Sequence, residues 1–522
     1  MKGIVIVSQV NGDKGSRRAA QALEGMRKAN PGFEFLMLNS SLADDRPSIA
    51  AEAKAQGWSI PVMDDDVQLA GEQLGVTYAG EAFVLAPKTL KVLYHGPVDA
   101  AGAKKKAKGY LAEALADISA GKAVTVATVA GKGAGIAFPE RGRRAEHQKI
   151  SYAKDVAPIL AAKCVSCHQT GGIGPFAMTD YAIVKGFAPM IREAIRTDTM
   201  PPWHPDPLVG SFKHEQGLSN AEIRTIVHWV EAGAPRGEGE DPLAAVKSVA
   251  PEWPLGKPDL ILDAPAYTIP ASGEVKYQYP TAANPLTEGR WVKAATLMPG
   301  DRRGVHHILA GYIPGAPKAG PASAAQWEAN YGEYAVGGES FIVPDKIGIY
   351  LPPGGSFAYQ MHYTAVGKPT TDKTEVGYYF YKEEPTYVLR QASITDFSLE
   401  IPAGEERHPE TAYIEFPHDA QIFGVQPHCH SRCYSTKLRI RYPDGSEKVL
   451  LNQPRYDFSW QREFHFENLL EVPKGSLLIA DYVYDNSDLN KSNPDPKKHV
   501  TFGEQTSEEM LFTFARFRFK GE

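Results

Sequence analysis

Cysteine is scarce in this sequence: only four occur among 522 residues, and none precedes Cys164. Long apolar runs are also missing. No stretch reaches the roughly 18 residues of a membrane-spanning helix, so we expect no membrane span. Charge of one sign is not in large excess, because 56 Lys and Arg stand against 62 Asp and Glu, a formal net charge of -6. This balance gives no electrostatic reason to expect nucleic acid or an acidic membrane surface as a partner.

The N-terminus lacks the features of a secretory leader. The apolar stretch Gly3–Val7 is too short for the hydrophobic region of a signal peptide, and no small-residue cleavage site follows it. It is more typical of a buried first strand. Because the cofactors predicted below require export, we expect this sequence to be a mature form whose leader is absent.

The residues that are present indicate several globular domains. A length of 522 residues suggests three or four of them, and 43% hydrophobic residues allow sizeable cores. The 48 Gly and 40 Pro favour a loop-rich and β-rich structure. We predict domains at 1–122, 149–237, 258–395 and 396–522, with Gly/Ala/Lys-rich and Pro/Gly-rich linkers before the second and the third.

Residues 1–122 alternate apolar strands with helical patterns, which is the order of an α/β domain. The segments Ile60–Asp64, Glu81–Leu85 and Tyr94–Asp99 resemble those of a thioredoxin-like domain of the peroxiredoxin type. The chemistry of that family needs a thiolate near the end of the first strand, but the loop Ser8–Asp13 has no cysteine. We therefore expect a redoxin-like domain without a catalytic cysteine, in a structural or docking role.

Cys164, Cys167 and His168 form a C-x-x-C-H motif that follows an amphipathic helical pattern in the predicted all-α domain at 149–237. Two thiols at this spacing can add to both vinyl groups of a haem, and the histidine can reach its iron. A disulfide redox motif is the alternative, but it belongs in a thioredoxin-like setting, and this segment lies outside that domain. The sequence therefore predicts one covalently attached haem c in a small class I cytochrome c domain.

The distal ligand of this iron has three downstream candidates: Met178, Met190 and Met200. Met200 is favoured, because the double proline after it would end a helix and present the side chain on a stiff loop, beside Trp203. Core packing is its alternative role. Of the nearby histidines, His204 is a rival iron ligand, whereas His214 and His228 are expected to be ordinary surface or core residues.

Three histidine clusters lie in the C-terminal half, where short strands and frequent turns favour antiparallel β-sandwiches: His306-His307, His362, and His428-x-His430. Residues two apart share a face of a strand, so His428 and His430 can reach one metal while Cys429 points away. The adjacent pair needs a local kink, and His362 can then complete a three-imidazole site. Imidazole sets without a thiolate suit copper, although geometry alone also allows zinc.

These clusters and further motifs resemble the copper type II, ascorbate-dependent monooxygenases, the family of the peptidylglycine α-hydroxylating and dopamine β-monooxygenases. The resemblance covers about 258–519, and its motifs occur in family order: His306-His307, Gln360-Met361-His362-Tyr363, His428-x-His430, Asp485-Asn486-Ser487 with Asn493-Pro494-Asp495-Pro496, and Gly503-x-x-Thr506-x-x-Glu509-Met510. It implies two eight-stranded sandwich subdomains, each with one copper, facing across a wet cleft.

The resemblance also assigns ligands to the two coppers. The electron-transfer copper is held by His306, His307 and His362. The oxygen-activating copper is held by His428, His430 and Met510. The thioether of Met510 favours Cu(I), the state that binds O2, whereas three imidazoles tolerate both oxidation states. Gln360 is assigned to the catalytic set with the ligands of the oxygen-activating copper.

Two departures from the family concern the substrate. Where the peptide-hydroxylating enzyme holds the substrate carboxylate with Arg and Tyr, this sequence has Gln426 and Phe514, so a peptide ending in glycine is not expected.

Cys429 and Cys433 are unusual so close to a copper motif. In an unbroken strand their Cα atoms would lie about 13 Å apart, so they form either a bridged turn or a soft-ligand set that alters the metal.

These motifs together predict a copper- and O2-dependent monooxygenase that hydroxylates a C–H bond of a small organic substrate. The covalently bound haem would supply electrons to the copper sites, replacing or assisting an external donor such as an ascorbate-like reductant or a redox protein. Haem c and copper favour an exported protein of a bacterial periplasm. The alternative is a non-enzymatic electron-transfer or copper-handling protein on the same fold.

Overall fold

The structure is a computed structural model that describes residues 1–99, 109–245, 252–315, 327, 329–335, 338 and 340–522. The chain forms two compact units: the first comprises Met1–Pro158 and Leu218–Glu240, and the second Ile159–Gly217 and Asp241–Glu522. Strands account for 34% of the described residues and helices for 19%, so the described part of the chain is mainly β.

The first unit is built on a five-stranded sheet. Its strands are β1 (Gly3–Gln9), β2 (Phe33–Asn39), β3 (Val62–Asp64), β4 (Glu81–Leu85) and β5 (Val92–Pro97). They lie in the order β3-β2-β1-β4-β5, and only the pairs β1-β2 and β2-β3 are parallel. Val5 and Val7 of β1 pack into one core with Leu23 and Leu111, whereas Ile6 faces a second core on the other side. Alternation along β1 thus buries both faces of the sheet.

The described part of the chain contains ten α-helices. They are α1 (Lys14–Ala29), α2 (Arg46–Gln56), α3 (Leu69–Leu74), α4 (Tyr110–Ser119), α5 (Pro139–Gly142), α6 (Arg144–His147), α7 (Ala157–Lys163), α8 (Tyr181–Arg196), α9 (Asn220–Glu231) and α10 (Pro242–Ala245), with a π-helical turn at Tyr152–Val156. Ser219 and Glu222 form a capping box that fixes the start of α9. Among these helices we find none with both the length and the apolar character to cross a bilayer.

The second unit contains two groups of sheets, and the first group follows α10. Its strands are β6 (Leu260–Asp263), β7 (Tyr267–Ile269), β8 (Thr281–Ala283), β9 (Arg290–Met298), β10 (Val305–Ile313), β11 (Ala329–Ala335), β12 (Ser340–Ile342), β13 (Ile347–Leu351), β14 (Ser356–Tyr363), β15 (Thr370–Asp372), β16 (Glu375–Phe380) and β17 (Tyr387–Val388). They form the sheets β11-β10-β14-β8 and β17-β13-β9-β16-β6, with β12 beside β9, and the pair β15-β7. Val292, Ile308, Phe357 and Tyr378 lie in their shared core.

The second group of sheets occupies the C-terminal part. Its strands are β18 (Arg390–Thr395), β19 (Glu400–Ile401), β20 (His408–Glu415), β21 (Ala420–His428), β22 (Cys433–Arg441), β23 (Glu447–Gln453), β24 (Phe464–Val472), β25 (Leu477–Tyr484), β26 (Val500–Thr501) and β27 (Phe512–Phe519). They form the sheets β18-β27-β21-β24 and β20-β25-β22-β23 and the pair β19-β26. Ile422, Leu438, Leu478 and Ala515, one from each of four strands, meet in their core.

The predicted fold class is wrong. We expected an α/β thioredoxin-like domain, an all-α cytochrome c domain and two all-β sandwiches in succession, whereas the protein is mainly β and divides into two units. Residues 149–237 are shared between these units. Trp203 and Phe212, from that range, pack with Phe464 in a β-rich core. Helical periodicity identified apolar faces but not their partners, and tertiary packing decided where each segment belongs.

Candidate metal centres

Three of the predicted ligands, His306, His307 and His362, converge where β10 pairs with β14. His307 lies opposite His362 in this antiparallel pair, and the register shifts between Val305 and His307, as at a β-bulge. The bulge lets two adjacent histidines reach the same side of the strand. One donor atom from each of the three side chains lies within 4.8 Å of the others.

The spacing of these imidazoles fits a metal ion. Nδ1 of His307 lies 3.3 Å from Nδ1 of His306 and 3.4 Å from Nδ1 of His362. Three nitrogens bound to one metal at about 2.0 Å would lie about 3.3 to 3.5 Å apart in tetrahedral or trigonal geometry. Nε2 of His362 contacts the Thr506 hydroxyl at 3.2 Å, a contact that orients the ring with Nδ1 toward the other two histidines.

His428 and His430 form a second cluster at the end of β21. Their ring centroids are 5.2 Å apart, with the planes perpendicular. Nδ1 of His428 contacts Oε1 of Gln461 at 2.8 Å, and Nδ1 of His430 contacts the Glu508 carbonyl oxygen at 3.1 Å. Nε2 of His430 is buried and has no hydrogen-bond partner among the residues described. A metal ion would satisfy this nitrogen while the Nδ1 contacts fix both rings.

Glu509 connects Met510 to this second cluster. Its carboxylate accepts hydrogen bonds from the backbone N–H groups of His430 at 2.8 Å, Arg432 at 2.7 Å and Met510 at 3.3 Å. The side chain is fully buried, and burial raises the pKa of Glu509 to about 7. One buried carboxylate therefore fixes the backbone of two predicted ligands, His430 and Met510.

Replacing Glu509 with glutamine is expected to weaken copper binding at the His428 cluster by about 10- to 100-fold, as loss of other groups that support a ligand does. The amide would turn an N–H group toward backbone N–H donors, so at least one of the three hydrogen bonds is lost. Competitive Cu(I) titration against a chelator measures the affinity. Glu508→Gln, next in sequence, is the matched control, and equal affinities in the two variants would contradict the role of Glu509.

Cys429 and Cys433 form a disulfide, with their Cα atoms 5.9 Å apart. β21 ends at His428, and β22 begins at Cys433 in another sheet, so the chain turns between the two cysteines. Both cysteines are buried in the hydrophobic core of the C-terminal sheets. Of the two alternatives that the sequence left open, the structure shows the bridged turn, and the sulfurs are not soft ligands.

The two histidine clusters adjoin each other. The ring centroids of His307 and His428 are 6.0 Å apart. Phe458 lies beside both clusters, stacked on His306 at 4.8 Å and edge-on to His430 at 5.7 Å. The family resemblance implies a wet cleft between the two copper sites, whereas the His307 and His428 rings contact each other directly at this point.

A cavity of about 390 Å³ opens onto both clusters. Its wall includes His307 from the first cluster, His428 and Met510 from the second, and Gln360 from β14. The rest of the wall mixes polar side chains with aromatic ones, which include Trp327, Phe397, Phe502, Phe512 and Phe514. A cavity of this size and lining is typical of sites that bind small organic molecules.

The polar end of the cavity is already occupied by protein groups. Glu333 accepts hydrogen bonds from Arg516 at 2.9 Å and, with the Gln426 amide turned to donate, from Gln426 at 2.8 Å. Arg516 also pairs with Glu463. Phe514 lies opposite Gln426 across β21 and β27. Two carboxylates, Glu333 and Glu463, thus hold the buried Arg516 guanidinium at this end of the cavity.

Burial lowers the pKa of the cluster imidazoles. The pKa falls to about 4 for His306 and His428 and to about 3 for His430, with neighbouring imidazoles adding to the effect of burial at His306 and His430. His307 and His362 shift in the same direction. Neutral imidazole is the form that binds metals, so both clusters are ready for metal at neutral pH.

The metal-free protein is expected to lose stability as the pH falls from about 6.5 to about 4. The folded state binds fewer protons than the unfolded state in this window, because the pKa values of the buried histidines are depressed, so protons favour unfolding. Urea unfolding midpoints between pH 7.5 and 4 measure this. His306→Gln should show a shallower pH dependence than wild type, and identical slopes in the two proteins would contradict the assignment.

The C-x-x-C-H segment directly follows α7 and fits a covalent haem. In the described part of the chain, Cys164 and Cys167 are not disulfide-bonded. Nδ1 of His168 lies 2.9 Å from the Phe176 carbonyl oxygen, so Nε2 is the nitrogen left for iron. Gly174 allows this close approach, because a Cβ there would lie 2.7 Å from Nδ1. His168 is thus oriented as a proximal ligand requires.

The distal candidates differ in burial. Met190 lies on α8 and is 64% exposed. Met178 is buried, and its backbone N–H donates to the carbonyl oxygen of His168. Met200 lies four residues after the end of α8 and is half-buried. His204 is buried, and its Nε2 atom has no hydrogen-bond partner within the described ranges. The structure therefore keeps both Met200 and its rival His204 as candidates.

Replacing Met200 with alanine is expected to leave the haem attached, because the thioether bonds come from Cys164 and Cys167, and to change the distal ligation and reduction potential. Ferric spectra, including the weak methionine-to-iron charge-transfer band, and redox titration measure the change. His204→Ala is the matched control. An unchanged spectrum in Met200→Ala with an altered one in His204→Ala would transfer the assignment to the histidine.

Several residues of these centres were missed by sequence reasoning. Phe458 lies far in sequence from His306, on which it stacks, and Gln461 lies about thirty positions from His428, so no local pattern marks either residue. Glu333 lies on β11, far in sequence from Gln426 and Arg516. Glu509 belongs to the motif that contains Met510, but no sequence pattern indicates that its carboxylate accepts hydrogen bonds from the backbone of His430 and Arg432.

Comparison with known proteins adds little to this description. No family model matches the chain, and no curated protein matches it. Similar solved structures include a hypothetical protein, SMc02350, from Sinorhizobium meliloti 1021 (25% identity, 26% of this chain, 79% of that chain, TM-score 0.23), an uncharacterized conserved protein from Geobacillus kaustophilus (18%, 26%, 77%, 0.24) and the major capsid protein P2 of Bacteriophage PM2 (7%, 50%, 97%, 0.22). TM-scores this low carry no conclusion about fold or function.

Proposed function

We propose that this protein is a copper- and O2-dependent monooxygenase that hydroxylates a C–H bond of a small organic molecule. One observation carries the proposal: two histidine clusters with different donor sets open onto one cavity of about 390 Å³. The similarity of the motifs to those of copper type II, ascorbate-dependent monooxygenases, in the same order, supports it. The substrate, O2 and an external electron donor are the partners that this activity requires.

Both clusters fit copper by their donor chemistry. His306, His307 and His362 would hold one ion with three imidazoles. His428, His430 and Met510 would hold the other with two imidazoles and a thioether, a set that favours Cu(I). When bound there, copper supplies the one-electron chemistry with O2 that amino-acid side chains lack.

The side chains around the cavity bind and orient the substrate. Phe512 and Phe514 form an edge-to-face pair at 4.7 Å, which gives an apolar substrate a rigid wall. Gln360 is buried and hydrogen-bonded to Tyr279, whose hydroxyl donates to Glu504. The Gln360 amide is therefore fixed beside the metal clusters, where it would position a substrate or a water molecule.

The haem-binding segment belongs to the same unit as both clusters, which supports a role in electron supply. Gln216, which lies in the same stretch Ile159–Gly217 as the C-x-x-C-H motif, accepts a hydrogen bond from Arg462 at 2.7 Å. Gln461, the residue before Arg462, contacts His428 at 2.8 Å. Trp203, beyond the C-x-x-C-H motif, packs edge-on to Phe464 with centroids 5.5 Å apart. A haem held by Cys164, Cys167 and His168 would supply electrons near the His428 cluster. Haem c and copper also favour a bacterial periplasm as the location.

Labelled oxygen tests the activity. The copper-loaded, reduced protein is incubated under 18O2 with a small-molecule extract of the cells that produce it, and products are detected by mass spectrometry. We expect an organic product with one 18O atom that is absent with His428→Ala. Consumption of O2 that yields only water or hydrogen peroxide would instead indicate an electron-transfer or copper-handling protein.

A further inference from the structure

A third histidine cluster lies in the first unit and shares no residue with the two clusters of the second unit. Glu140 on α5, His147 on α6 and His228 on α9 each present one donor atom, and these atoms lie within 4.8 Å of one another. Nε2 of His147 is 2.8 Å from Oε2 of Glu140, and the rings of His147 and His228 stack with centroids 4.1 Å apart. Two imidazoles and a carboxylate thus meet at one point.

The hydrogen bonding of His228 is incomplete. Its side chain is only 4% exposed, yet Nδ1 has no hydrogen-bond partner in the portion of the chain that the structure describes. Oε2 of Glu231, one turn along α9, is 3.7 Å from this nitrogen, beyond hydrogen-bond distance. Buried polar atoms normally have partners, so an unpartnered nitrogen beside a carboxylate and a second imidazole points to a ligand.

The donor set selects the kind of ligand. Two imidazoles with one or two carboxylates, and no thiolate or thioether, suit a divalent ion such as Zn²⁺ rather than Cu(I). The ion would replace the proton shared by His147 and Glu140 and so release it. A solvent-open cavity of about 380 Å³, lined in part by Glu140, His147 and Asp155, gives an entry path.

We propose that Glu140, His147 and His228 form a zinc-type cation site, with Glu231 as the fourth ligand. The site joins α5 and α6 to α9, which lie more than 70 residues apart in sequence. Binding of the ion to the folded state alone would stabilise the first unit. The inference is independent of the proposed monooxygenase activity.

Metal analysis of the full chain tests the site. Protein with haem attached is loaded with Cu(I) under anaerobic conditions to fill the other histidine clusters, equilibrated with Zn²⁺, desalted and analysed for zinc. We expect His147→Gln and His228→Gln to bind one zinc per chain fewer than wild type. His95→Gln is the matched control, because His95 pairs with Glu81 at 2.6 Å in the same unit but belongs to no histidine cluster among the residues that the structure describes.

A second readout covers variants that fold poorly. Glu140→Gln alters a partly exposed residue, and we expect it to lose the same zinc ion while circular dichroism shows the wild-type fold. Co²⁺ in place of zinc should give visible absorption bands of a four-coordinate nitrogen and oxygen site in wild type and not in Glu140→Gln. Equal zinc content in wild type and all three variants, or no zinc retained by wild type, would overturn the proposal.

Discussion

Replacement of Met510 with alanine is expected to lower O2-dependent hydroxylation by more than about 100-fold and to weaken only one of two coppers. The substitution removes the thioether from a set in which His428 and His430 are the other ligands. The backbone at position 510 stays bonded to Glu509, so the fold around the cluster is preserved. Product formation and copper content are measured on the same samples.

His307→Ala is the matched counterpart, because it removes an imidazole from the three-histidine cluster instead. We expect this variant to lose the other copper and to keep the thioether-bound one. Loss of both coppers in Met510→Ala would contradict the division into two clusters, as would full activity in that variant. The 6.0 Å separation of the His307 and His428 rings makes this comparison necessary, because adjoining sites can affect each other.

Oxidation of prereduced haem by O2 is expected to slow at least about tenfold when the three-histidine copper is removed by His306→Ala, since a tethered acceptor works at high effective concentration. Both histidine clusters lie in the same unit as the C-x-x-C-H segment. The protein is reduced without ascorbate, loaded with copper and mixed with O2 and the cell extract, and the haem band is followed by stopped flow.

Gln461→Leu serves as the second arm of this experiment. It keeps all copper ligands but removes the contact with Nδ1 of His428 beside Arg462. Slow oxidation in His306→Ala with a normal rate in Gln461→Leu supports electron entry through the three-histidine cluster. The reverse result places entry at His428, and equal rates in all three proteins would show that the haem serves another partner.

The histidine clusters could be proposed from short local patterns, whereas Met510 and the division into two copper sites came from the family resemblance. Strand alternation was expected to put His428 and His430 on one face, but β21 ends at His428 and His430 lies just beyond it. The adjacent His306 and His307 require a local kink, and β10 has a register shift there. The bridge between Cys429 and Cys433 could not be decided, because it depends on where β21 ends. That end is set by a change of sheet, which no spacing rule reports.

The fold class could not be predicted for a related reason. Periodicity shows that α9 and the segment around Phe212 have apolar faces, but not that one joins the first unit and the other a β-rich core. His228 was expected to be an ordinary surface or core histidine, and its cluster with Glu140 and His147 could not be foreseen, because these two residues lie about 80 positions away. Contacts between distant segments decided each of these cases.

Copper K-edge absorption of the fully reduced protein tests the two-cluster account most directly, because it needs no substrate. Two coppers bound by five histidines and Met510 should give an average of about two and a half imidazole nitrogens and half a sulfur per copper. The sulfur contribution should disappear in Met510→Ala while the imidazole contribution remains. One copper per chain, or no sulfur in the wild-type spectrum, would contradict the account.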